Sequence, residues 1–473
     1  MSDSVEAASD ARRNRILTGN LRQTLFWLAL PVLCEQFLTF LVGFYDTYLS
    51  GRIDAQATTA IGLAAYVGWL ASMLFGLIGT GTTALVSRFS GAGDFQSANR
   101  VANQSMALAS FMGVLVFAMI YAAAPEFARQ LDFQEQTAAI VIRYLRIDAF
   151  GHLFTGVSLI GAAALRGAGN MRTPMFVLGF ISVANIVVST ALVFGVGPFP
   201  AIGFNSVLVA PMGIDGIVAG TVTARVGGGL LMIATLAWGS SGLRLTRREW
   251  KIRTETTGRI LSIGGPAAID GAVTWAGQFA FLMIVSRLAE GTAGNAVFAA
   301  HVIGVRVEAI TYLPAVAWGF AAATMVGQSL GAKNHRRATQ VGHEAVLQCG
   351  LLGLVITAVF FLGARPIYEL MHEESAVQAV GIPAFRMLAF FQVPLVLSIV
   401  YVFALRGAGD SRYPMVITIF SVVLVRVPVS YVCGITLGGG LFGAWIGMCA
   451  DIAVRAALVW WRYVRGRWAE TSV

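Results

Sequence analysis

The sequence predicts an all-α, polytopic membrane protein made of two copies of one six-helix unit. Hydrophobic residues make up 57% of the 473 residues and charged residues only 12%, whereas a soluble domain carries about 25% charged residues. Apolar runs long enough to cross a bilayer, about 18 residues or more, recur along the chain. One eleven-residue segment also returns almost unchanged in the second half. Together these observations indicate duplicated bundles of membrane-spanning helices.

The duplication is visible as a constant offset between the halves. LRGAGNMRTPM at Leu165–Met175 returns as LRGAGDSRYPM at Leu405–Met415, 240 residues later, and the same offset aligns Ala98 with Ala338. Each half holds six predicted spans, so both halves begin on the same side of the membrane and the repeats are parallel. Paired repeats are typical of transporters, which place their sites where the repeats meet.

The apolar runs predict twelve spans in chain order. They are 22–49, 58–87, 98–124, 138–165, 174–197, 213–240, 259–286, 297–328, 338–363, 377–405, 414–435 and 441–463. The glycines of the repeated segment permit a tight turn after the fourth and tenth spans. Pro174 and Pro414 then open the following helices.

These spans define five regions, with an N-lobe at 22–240 and a C-lobe at 259–463. A basic linker at 241–258 separates the lobes, and polar tails at 1–21 and 464–473 flank them. Most arginines and lysines outside the spans fall on the side of the N-terminus, which predicts a multi-pass cell-membrane protein with both termini in the cytoplasm. The net charge of +9 is then a topology signal, and no nucleic-acid partner is expected.

The first span contains two acids that a bilayer would not accept. Glu35, Thr39 and Asp46 share one helical stripe, which must face the lobe interior or a cleft. An ionised side chain at mid-bilayer costs about 2.5–3.5 kcal/mol on insertion scales. No cation lies one turn from Asp46 in the same span, so a functional role is favoured for this carboxylate.

The seventh span carries a second polar stripe, formed by Asp270, Thr274 and Gln278. A Pro-x-x-x-acid pattern occurs in both spans, so that Glu35 corresponds to Asp270, and prolines of this kind kink helices that line cavities. Two interpretations remain open for this pair. The acids either bind ions or are buried groups satisfied by neighbouring hydroxyls or arginines.

Two further spans carry buried charge. His301 and Glu308 share a face of the eighth span, where a histidine is either a satisfied core residue or a proton carrier. Asp451 and Arg455 lie at i and i+4 in the last span, a spacing that favours an internal, structural ion pair.

Several segments in order resemble the multidrug and toxic compound extrusion (MATE) transporters. They include PVLCEQFLTFLVGFYDTYLSG at Pro31–Gly51, TALVSRFSGAGD at Thr83–Asp94, AAHVIGVRVEAITYLP at Ala299–Pro314 and MVGQSLGAK at Met325–Lys333, together with both LRGAG turns. The resemblance covers nearly the whole chain. It implies two six-helix lobes arranged as a V around a substrate cleft, and cation-coupled antiport of organic, often cationic, compounds.

The resemblance also implies a cation-coupling site in the N-lobe. Asp46 occupies the acid of the family's GxxDTxxxG pattern, and Asn185 and Thr221 match its partners. Relatives often place an aspartate where this chain has Ser189, and an acid in the C-lobe where it has Thr274. The second departure leaves Asp270, one turn earlier, as a substitute.

The expected function is therefore a secondary transporter that exchanges H⁺ or Na⁺ for lipophilic organic cations by alternating access. Binding of either ion at Asp46 neutralises the carboxylate and releases a cationic substrate. No cofactor and no resident metal are expected, Na⁺ at Asp46 being the one metal ion considered. A small organic cation and the lipid bilayer are the expected partners, and a monomer is the expected state.

Three alternatives belong to other classes. A related lipid-linked flippase that moves anionic headgroups would line its cavity with arginines, and here the intramembrane acids outnumber such arginines. A membrane-embedded lipid-modifying enzyme needs a catalytic loop or a metal cluster, whereas the histidines are scattered without ligand spacing. A channel would not need two kinked helices with matching acids.

Overall fold

A computed structural model of the chain describes residues 3–53, 55–130, 134–196, 209–250 and 252–471. Residue 197, at the end of the fifth predicted span, lies outside this set. So do residue 251 of the predicted linker and residues 1–2 and 472–473 of the predicted tails.

Helices account for almost all of the described backbone. They are α1 (Asp3–Thr18), α2 (Leu21–Gly51), α3 (Ala55–Ala92), α4 (Phe95–Gln130), α5 (Glu135–Gly167), α6 (Arg172–Phe194), α7 (Ile214–Trp238), α8 (Thr254–Val285), α9 (Gly291–Gly331), α10 (His335–Met371), α11 (Ser375–Ala389), α12 (Gln392–Gly407), α13 (Arg412–Ser421), α14 (Val427–Tyr431) and α15 (Gly440–Val464).

The helices confirm the predicted membrane spans. Among the described residues, eleven helical segments are long and apolar enough to cross a bilayer, with α13 and α14 forming parts of one segment, Arg412–Thr436. The bent pair of α11 and α12 makes a twelfth span when it is counted as one broken helix. Several helices exceed the predicted spans because helical backbone continues into the polar flanks, as in α9.

The tenth predicted span, 377–405, is broken near its middle by a bend of 53°. Pro394 lacks an N–H, and its ring excludes the carbonyl of Phe390 from regular helical bonding. The side chain of Gln392 satisfies part of the interrupted backbone, because its Nε2 donates to the Leu388 carbonyl at 2.9 Å. Its Oε1 accepts a hydrogen bond from Thr311 at 2.8 Å, which ties the break to α9.

The eleventh span is also irregular. Val422–Arg426 and Val432–Thr436 are wound more widely than an α-helix, and they flank α14, which has Pro428 in its first turn. Wider turns of this kind are frequent at functional sites because they redirect side chains. The first of them ends at Arg426, whose contacts are described below.

Helix α1 occupies most of the predicted N-terminal tail. Ile16 near its end is 1% exposed, so this part of the helix is packed against protein. Arg337 of α10 donates to the carbonyls of Ile16 and Gly19 at 2.9 and 2.8 Å. These bonds satisfy carbonyls at the end of α1, which have no partner inside the helix.

The chain separates into two compact units. The first comprises Met1–Arg12, Cys34–Ser90 and Asp94–Leu261, and the second Arg13–Leu33, Gly91–Gly93 and Ser262–Val473. The predicted lobes begin at residues 22 and 259, whereas the units divide α2 after Leu33 and α8 after Leu261. Both divisions lie within a few residues of a helix proline, Pro31 or Pro266.

Each unit has its own apolar core. The core of the first unit contains Tyr144, Leu145 and Ile217, and that of the second contains Tyr368 and Trp445. Large apolar side chains also remain on the surface of both units, as expected for helices that face lipid. Among them are Phe176 (68% exposed), Trp238 (82%), Leu362 (76%) and Leu370 (87%).

The two LRGAG segments form the predicted tight turns. Gly169 and Gly409 have φ angles of 80° and 93°, a conformation that favours glycine. Their N–H groups donate to the carbonyls of Arg166 and Arg406 at 2.8 and 2.9 Å, which closes the ends of α5 and α12. The repeated sequence therefore builds the same helix ending in both units.

Candidate functional site

Asp46 lies on α2 in the first unit, where this helix packs against α6. The hydroxyls of Tyr45 and Thr190 are 2.7 Å apart and join the two helices beside Asp46. The Oδ1 atom of Asp46 is buried and has no hydrogen-bond partner within the described part of the chain. Buried polar atoms are almost always bonded, so this oxygen is available to an ion or a proton.

Asn185 and Thr221, the two predicted partners of Asp46, are hydrogen-bonded to each other. The side-chain Nδ2 of Asn185 on α6 donates to Oγ1 of Thr221 on α7 at 2.9 Å. Thr221 in turn donates its hydroxyl hydrogen to the Ile217 carbonyl at 3.0 Å. The Oδ1 atom of Asn185 is buried and accepts no hydrogen bond from the described residues.

Ser189 contributes a hydroxyl that is already used as a donor. Its hydroxyl donates to the Ile217 carbonyl at 3.3 Å, and the side chain is fully buried where α6 meets α7. Of the site residues named here, Asp46 and Asn185 each present one buried oxygen, Oδ1, that has no hydrogen bond from the described part of the chain. Both can accept a proton-bearing group or coordinate a cation, and neither can donate.

A second acidic centre in the first unit was missed by the sequence prediction. Asp148 on α5 is 3% exposed and accepts from Arg225 of α7 at 2.8 Å. Its other oxygen lies 3.2 Å from Nε2 of His152, one turn later on the same helix. The signal was the Asp-x-x-x-His spacing inside an apolar span, which was lost when the histidines were treated as scattered. Gly151 leaves room for Arg225, whose Cδ would lie 2.9 Å from a Cβ there.

Arg225 decides the electrostatics around Asp46. Both Arg225 and Asp148 lie close enough to Asp46 to interact with it electrostatically. The guanidinium makes its hydrogen bond to Asp148, however, and no ion pair of Asp46 within 4.0 Å is found in the described segments. Counting the two carboxylates and one guanidinium, the group carries one unbalanced negative charge. A single cation or proton would neutralise it.

Glu35, predicted together with Asp46, lies in a separate ion pair. The Nη2 atom of Arg166 contacts both carboxylate oxygens of Glu35, at 2.5 and 2.6 Å, and both side chains are 5% exposed. Asp270 in the second unit is bound in the same way by Arg406. Both arginines belong to LRGAG turns. The sequence predicted these segments as tight turns. Their role in pairing the two buried acids was missed.

The residues predicted to form one polar site in the second unit lie in three separate locations. Asp270 forms the ion pair with Arg406. Thr274, Gln278 and Glu308 line a cavity of about 340 Å³, and Oε1 of Gln278 accepts from Arg426 at 3.1 Å. The remaining residue, His301, lies in the apolar core of the unit.

His301 is packed as a core residue. It is 3% exposed, and its ring lies against Phe281 and Trp445. Its Nδ1 atom accepts a hydrogen bond from Trp445 Nε1 at 3.3 Å, which means that this nitrogen carries no proton in the arrangement. The face shared with Glu308 on α9 does not bring His301 into the cavity.

The predicted ion pair of the last span is present and has a third member. Arg455 donates to both oxygens of Asp451 at 3.1 Å. Arg426, from the irregular eleventh span, reaches the same carboxylate at 2.9 Å. This contact could not be read from local spacing because the residues lie on different helices.

Known proteins match both the sequence and the fold. The family model MatE matches residues 31–190 and 266–432, one segment in each half. A probable multidrug resistance protein NorM of Thermotoga maritima is 29% identical over 456 residues, which cover 96% of this chain and 94% of that protein. The multidrug resistance protein PmpM of Pseudomonas aeruginosa is 26% identical over 453 residues, with 93% and 91% covered.

Solved structures give the same result for the fold. The crystal structure of a MATE protein in the bent conformation aligns with a TM-score of 0.85 at 20% identity and covers 96% of both chains. An outward-facing multidrug resistance transporter of the family aligns at 0.86 and 21% identity, with 97% and 98% covered. Because the MatE matches span more than half of the sequence, this chain belongs to the MATE family and is a membrane transporter, not an enzyme.

Proposed function

We propose that this protein exports organic cations in exchange for a coupling ion that binds at Asp46. The observation that carries the proposal is the buried, unbonded Oδ1 of Asp46, whose carboxylate gives the group of Asp46, Asp148 and Arg225 one unbalanced negative charge. An uncompensated carboxylate inside a membrane is costly, so its retention favours a role in binding.

Antiport follows from the charge balance. The group of Asp46, Asp148 and Arg225 becomes neutral when it binds one positive charge. It would carry a net positive charge if the coupling ion and a cationic substrate were bound together. The coupling ion and a cationic substrate therefore compete for the same carboxylate. Entry of the ion down its gradient displaces the substrate outward, and alternation between the two membrane faces makes the exchange productive.

The arrangement favours H⁺ over Na⁺ as the coupling ion. Hard cations bind several oxygens at once, as the coordination of Ca²⁺ and Mg²⁺ illustrates. In the described part of this region the hydroxyls of Thr221 and Ser189 are committed to the Ile217 carbonyl. Among the site residues, Oδ1 of Asp46 and Oδ1 of Asn185 are the oxygens without a hydrogen bond in the described segments, so a metal ion would have to recruit further oxygens that already take part in hydrogen bonds, whereas a proton needs one.

The basic residues suggest the direction of export. We infer that both termini lie in the cytoplasm, since most arginines and lysines outside the spans fall on that side. Relatives described as multidrug resistance proteins support a range of small organic substrates for this chain.

Dye uptake into everted vesicles, whose cytoplasmic face is outside, tests the proposal. An imposed ΔpH should drive transport of a lipophilic cationic dye, and an imposed ΔNa⁺ at constant pH should not. Asp46→Asn should reduce coupled transport to the level of vesicles that lack the protein, with unchanged membrane insertion. Equal uptake by this variant and the parent would overturn the assignment of Asp46, and transport driven by ΔNa⁺ alone would overturn the choice of H⁺.

Asp94→Asn provides the matched control. Asp94 precedes α4, where its Oδ1 accepts from the Ser97 backbone at 2.9 Å. Asparagine makes the same cap, so the substitution removes one carboxylate without loss of the helix start. Its transport should equal that of the parent.

A further inference from the structure

The charged cavity of the second unit is distinct from the region of Asp46. It has a volume of about 340 Å³ and lies within the second unit, between α8, α9, α12, α15 and the irregular eleventh span. Two carboxyl and two guanidinium groups line it: Glu308, Asp451, Arg426 and Arg455. A cavity of this size falls within the range of small-molecule sites, about 300–1,000 Å³.

One side of the cavity carries an excess of positive charge. Asp451 is completely buried and is shared by Arg426 at 2.9 Å and Arg455 at 3.1 Å. Two guanidinium groups are thus opposed by one carboxylate. The Nε atoms of both arginines are buried and have no hydrogen-bond partner in the described residues. Unused, desolvated N–H donors of this kind are suited to a carboxylate.

The opposite charge comes from Glu308. This side chain is 5% exposed and lies within electrostatic range of Arg426. It nevertheless forms no ion pair within 4.0 Å among the residues that the structure describes. The cavity as a whole is therefore neutral when all four groups are ionised, but both arginines share the carboxylate of Asp451, and Glu308 lies apart from them.

The remaining walls are largely aromatic and apolar, with Thr274, Gln278 and Ser398 as their polar members. Trp275 and Tyr312 line the cavity together with Leu395 and Met448. Aromatic faces attract ammonium groups as well as flat rings, and methionine adapts to ligands of varied shape. The walls therefore favour a ligand that joins an apolar ring to a charged end.

We propose that this cavity binds small aromatic zwitterions, with the carboxylate at Arg426 and Arg455 and the ammonium at Glu308. A purely structural ion pair would need Asp451 and one arginine. The second arginine and Glu308 add two further charges to the membrane interior, where each is costly without a partner. A zwitterion supplies both partners at once and leaves the site neutral. This inference goes beyond the proposed export of cations and does not depend on Asp46.

Calorimetric titration of the full chain in lipid nanodiscs tests the inference with three probes. Phenylalanine carries both charges, its methyl ester lacks the carboxylate, and 3-phenylpropionate lacks the ammonium. Phenylalanine should bind saturably, and the other two at least tenfold more weakly. Absence of saturable binding by phenylalanine, or equal binding of the ester, would overturn the proposal.

Two variants assign the charges. Arg455→Gln leaves Asp451 paired with Arg426 and should weaken phenylalanine binding at least tenfold. Glu308→Gln should weaken phenylalanine but strengthen 3-phenylpropionate, because the repulsion between two carboxylates is removed. Such an inversion of preference cannot result from partial unfolding. Unchanged affinities in both variants would contradict the assignment.

Two further variants act as controls. Arg386→Gln removes an exposed arginine of the same unit that stacks on Phe361 and does not line the cavity, and it should bind phenylalanine as the parent does. Asp46→Asn should also bind phenylalanine normally while it loses coupled efflux. The failure of one proposal is thereby distinguishable from the failure of the other.

Discussion

In both units the arginine of an LRGAG turn reaches the acid that follows a helix proline by one turn. Arg166 binds Glu35 in the first unit, and Arg406 binds Asp270 in the second. The first pair is almost completely buried, whereas the side chains of the second are 18% and 12% exposed. A contact that occurs in both halves serves what the halves have in common, which is the packing of the proline-containing helix against the repeated turn.

The other buried charges are not duplicated. When the halves are aligned on Pro31 and Pro266, the place of Asp46 is taken by Phe281, which is fully buried in an apolar core. With the offset of the LRGAG turns, the place of Asp148 is taken by Leu388. The second unit thus builds the same helices without the acidic centre of the first.

For the charged cavity the relation is reversed: the second unit carries the charges, and the first unit has uncharged residues in their places. With the same offset, Arg426 corresponds to Ile186 and Glu308 to Gly68. Asp451 corresponds to Ala224 when the last helices of the halves are aligned on their glycines. A charge that one half lacks is not required to build the fold, so each cluster is better explained by a task particular to its own unit.

The largest effect is expected when the ion pair that occurs in both units is broken. Arg166→Gln should lower the free energy of unfolding by about 3–5 kcal/mol, because it leaves the buried carboxylate of Glu35 unpaired. Arg406→Gln should cost less, since the pair with Asp270 is partly exposed. Denaturant titrations of both variants in detergent measure the difference. Equal losses would mean that burial does not set the strength of this contact.

The double variant Arg166→Gln/Glu35→Gln sharpens the result. It removes both charges and should regain much of the stability lost in the single variant, since no unpaired charge remains. A double variant as unstable as the single one would show that Arg166 acts through contacts other than Glu35.

The sequence predicted the fold more fully than the site because the two depend on different kinds of information. Span length and hydropathy are local, so twelve spans and their approximate ends could be identified. The repeated glycine turn was also recognisable from its own residues. The break before Pro394 was not predicted because the apolar run on both sides of Gln392 and Pro394 is long enough for one span, although the proline itself was a local signal for the bend.

Contacts between helices were the part that sequence could not supply. Asp46, Asn185 and Thr221 were identified by resemblance, and the pairing of Asn185 with Thr221 follows in the structure. The partners of Glu35 and Asp270 lie more than 130 residues away, in turns that appeared purely structural. His301 shares a helix face with Glu308, but the neighbouring helices, not the face alone, decide where each side chain lies.

A smaller effect is expected from Asp148, which we interpret as a positioning residue. Asp148→Asn removes the carboxylate that holds Arg225, and the freed guanidinium should then pair with Asp46 and compete with the coupling ion. Coupled efflux should fall by about tenfold, equivalent to about 1.4 kcal/mol. The equivalent position in the second unit is the apolar Leu388. It holds no arginine, so a substitution there would release no guanidinium.

The variant Asp148→Asn/Arg225→Gln separates this effect from a general loss of structure. Removal of Arg225 frees Asp46 again, and part of the lost efflux should return. An unchanged or further reduced rate in the double variant would argue that Asp148 supports the fold alone.

The smallest effect concerns two corresponding helix starts outside the membrane spans. Asp94 accepts from the backbone N–H of Ser97, and Asn334, 240 residues later, accepts from that of Arg337 at 3.0 Å. Hydrogen bonds from Ser97 lower the pKa of Asp94 below its ordinary value of 3.8. An ionised cap therefore stabilises the folded protein above pH 3.8, and this contribution disappears as the pH falls through the lower pKa of the folded state.

Swapping the two capping residue types should move the acid-sensitive cap from the first unit to the second. Asp94→Asn should remove a small part of the destabilisation seen between pH 6 and pH 3, because an amide cap does not titrate. Asn334→Asp should add a similar acid-sensitive contribution to the second unit. Both changes should alter stability at neutral pH by only about a few tenths of a kcal/mol, since the two residues cap helices about equally well. Thermal unfolding of the parent and both variants across this pH range measures the exchange, and parallel curves for all three proteins would show that neither cap is coupled to global unfolding.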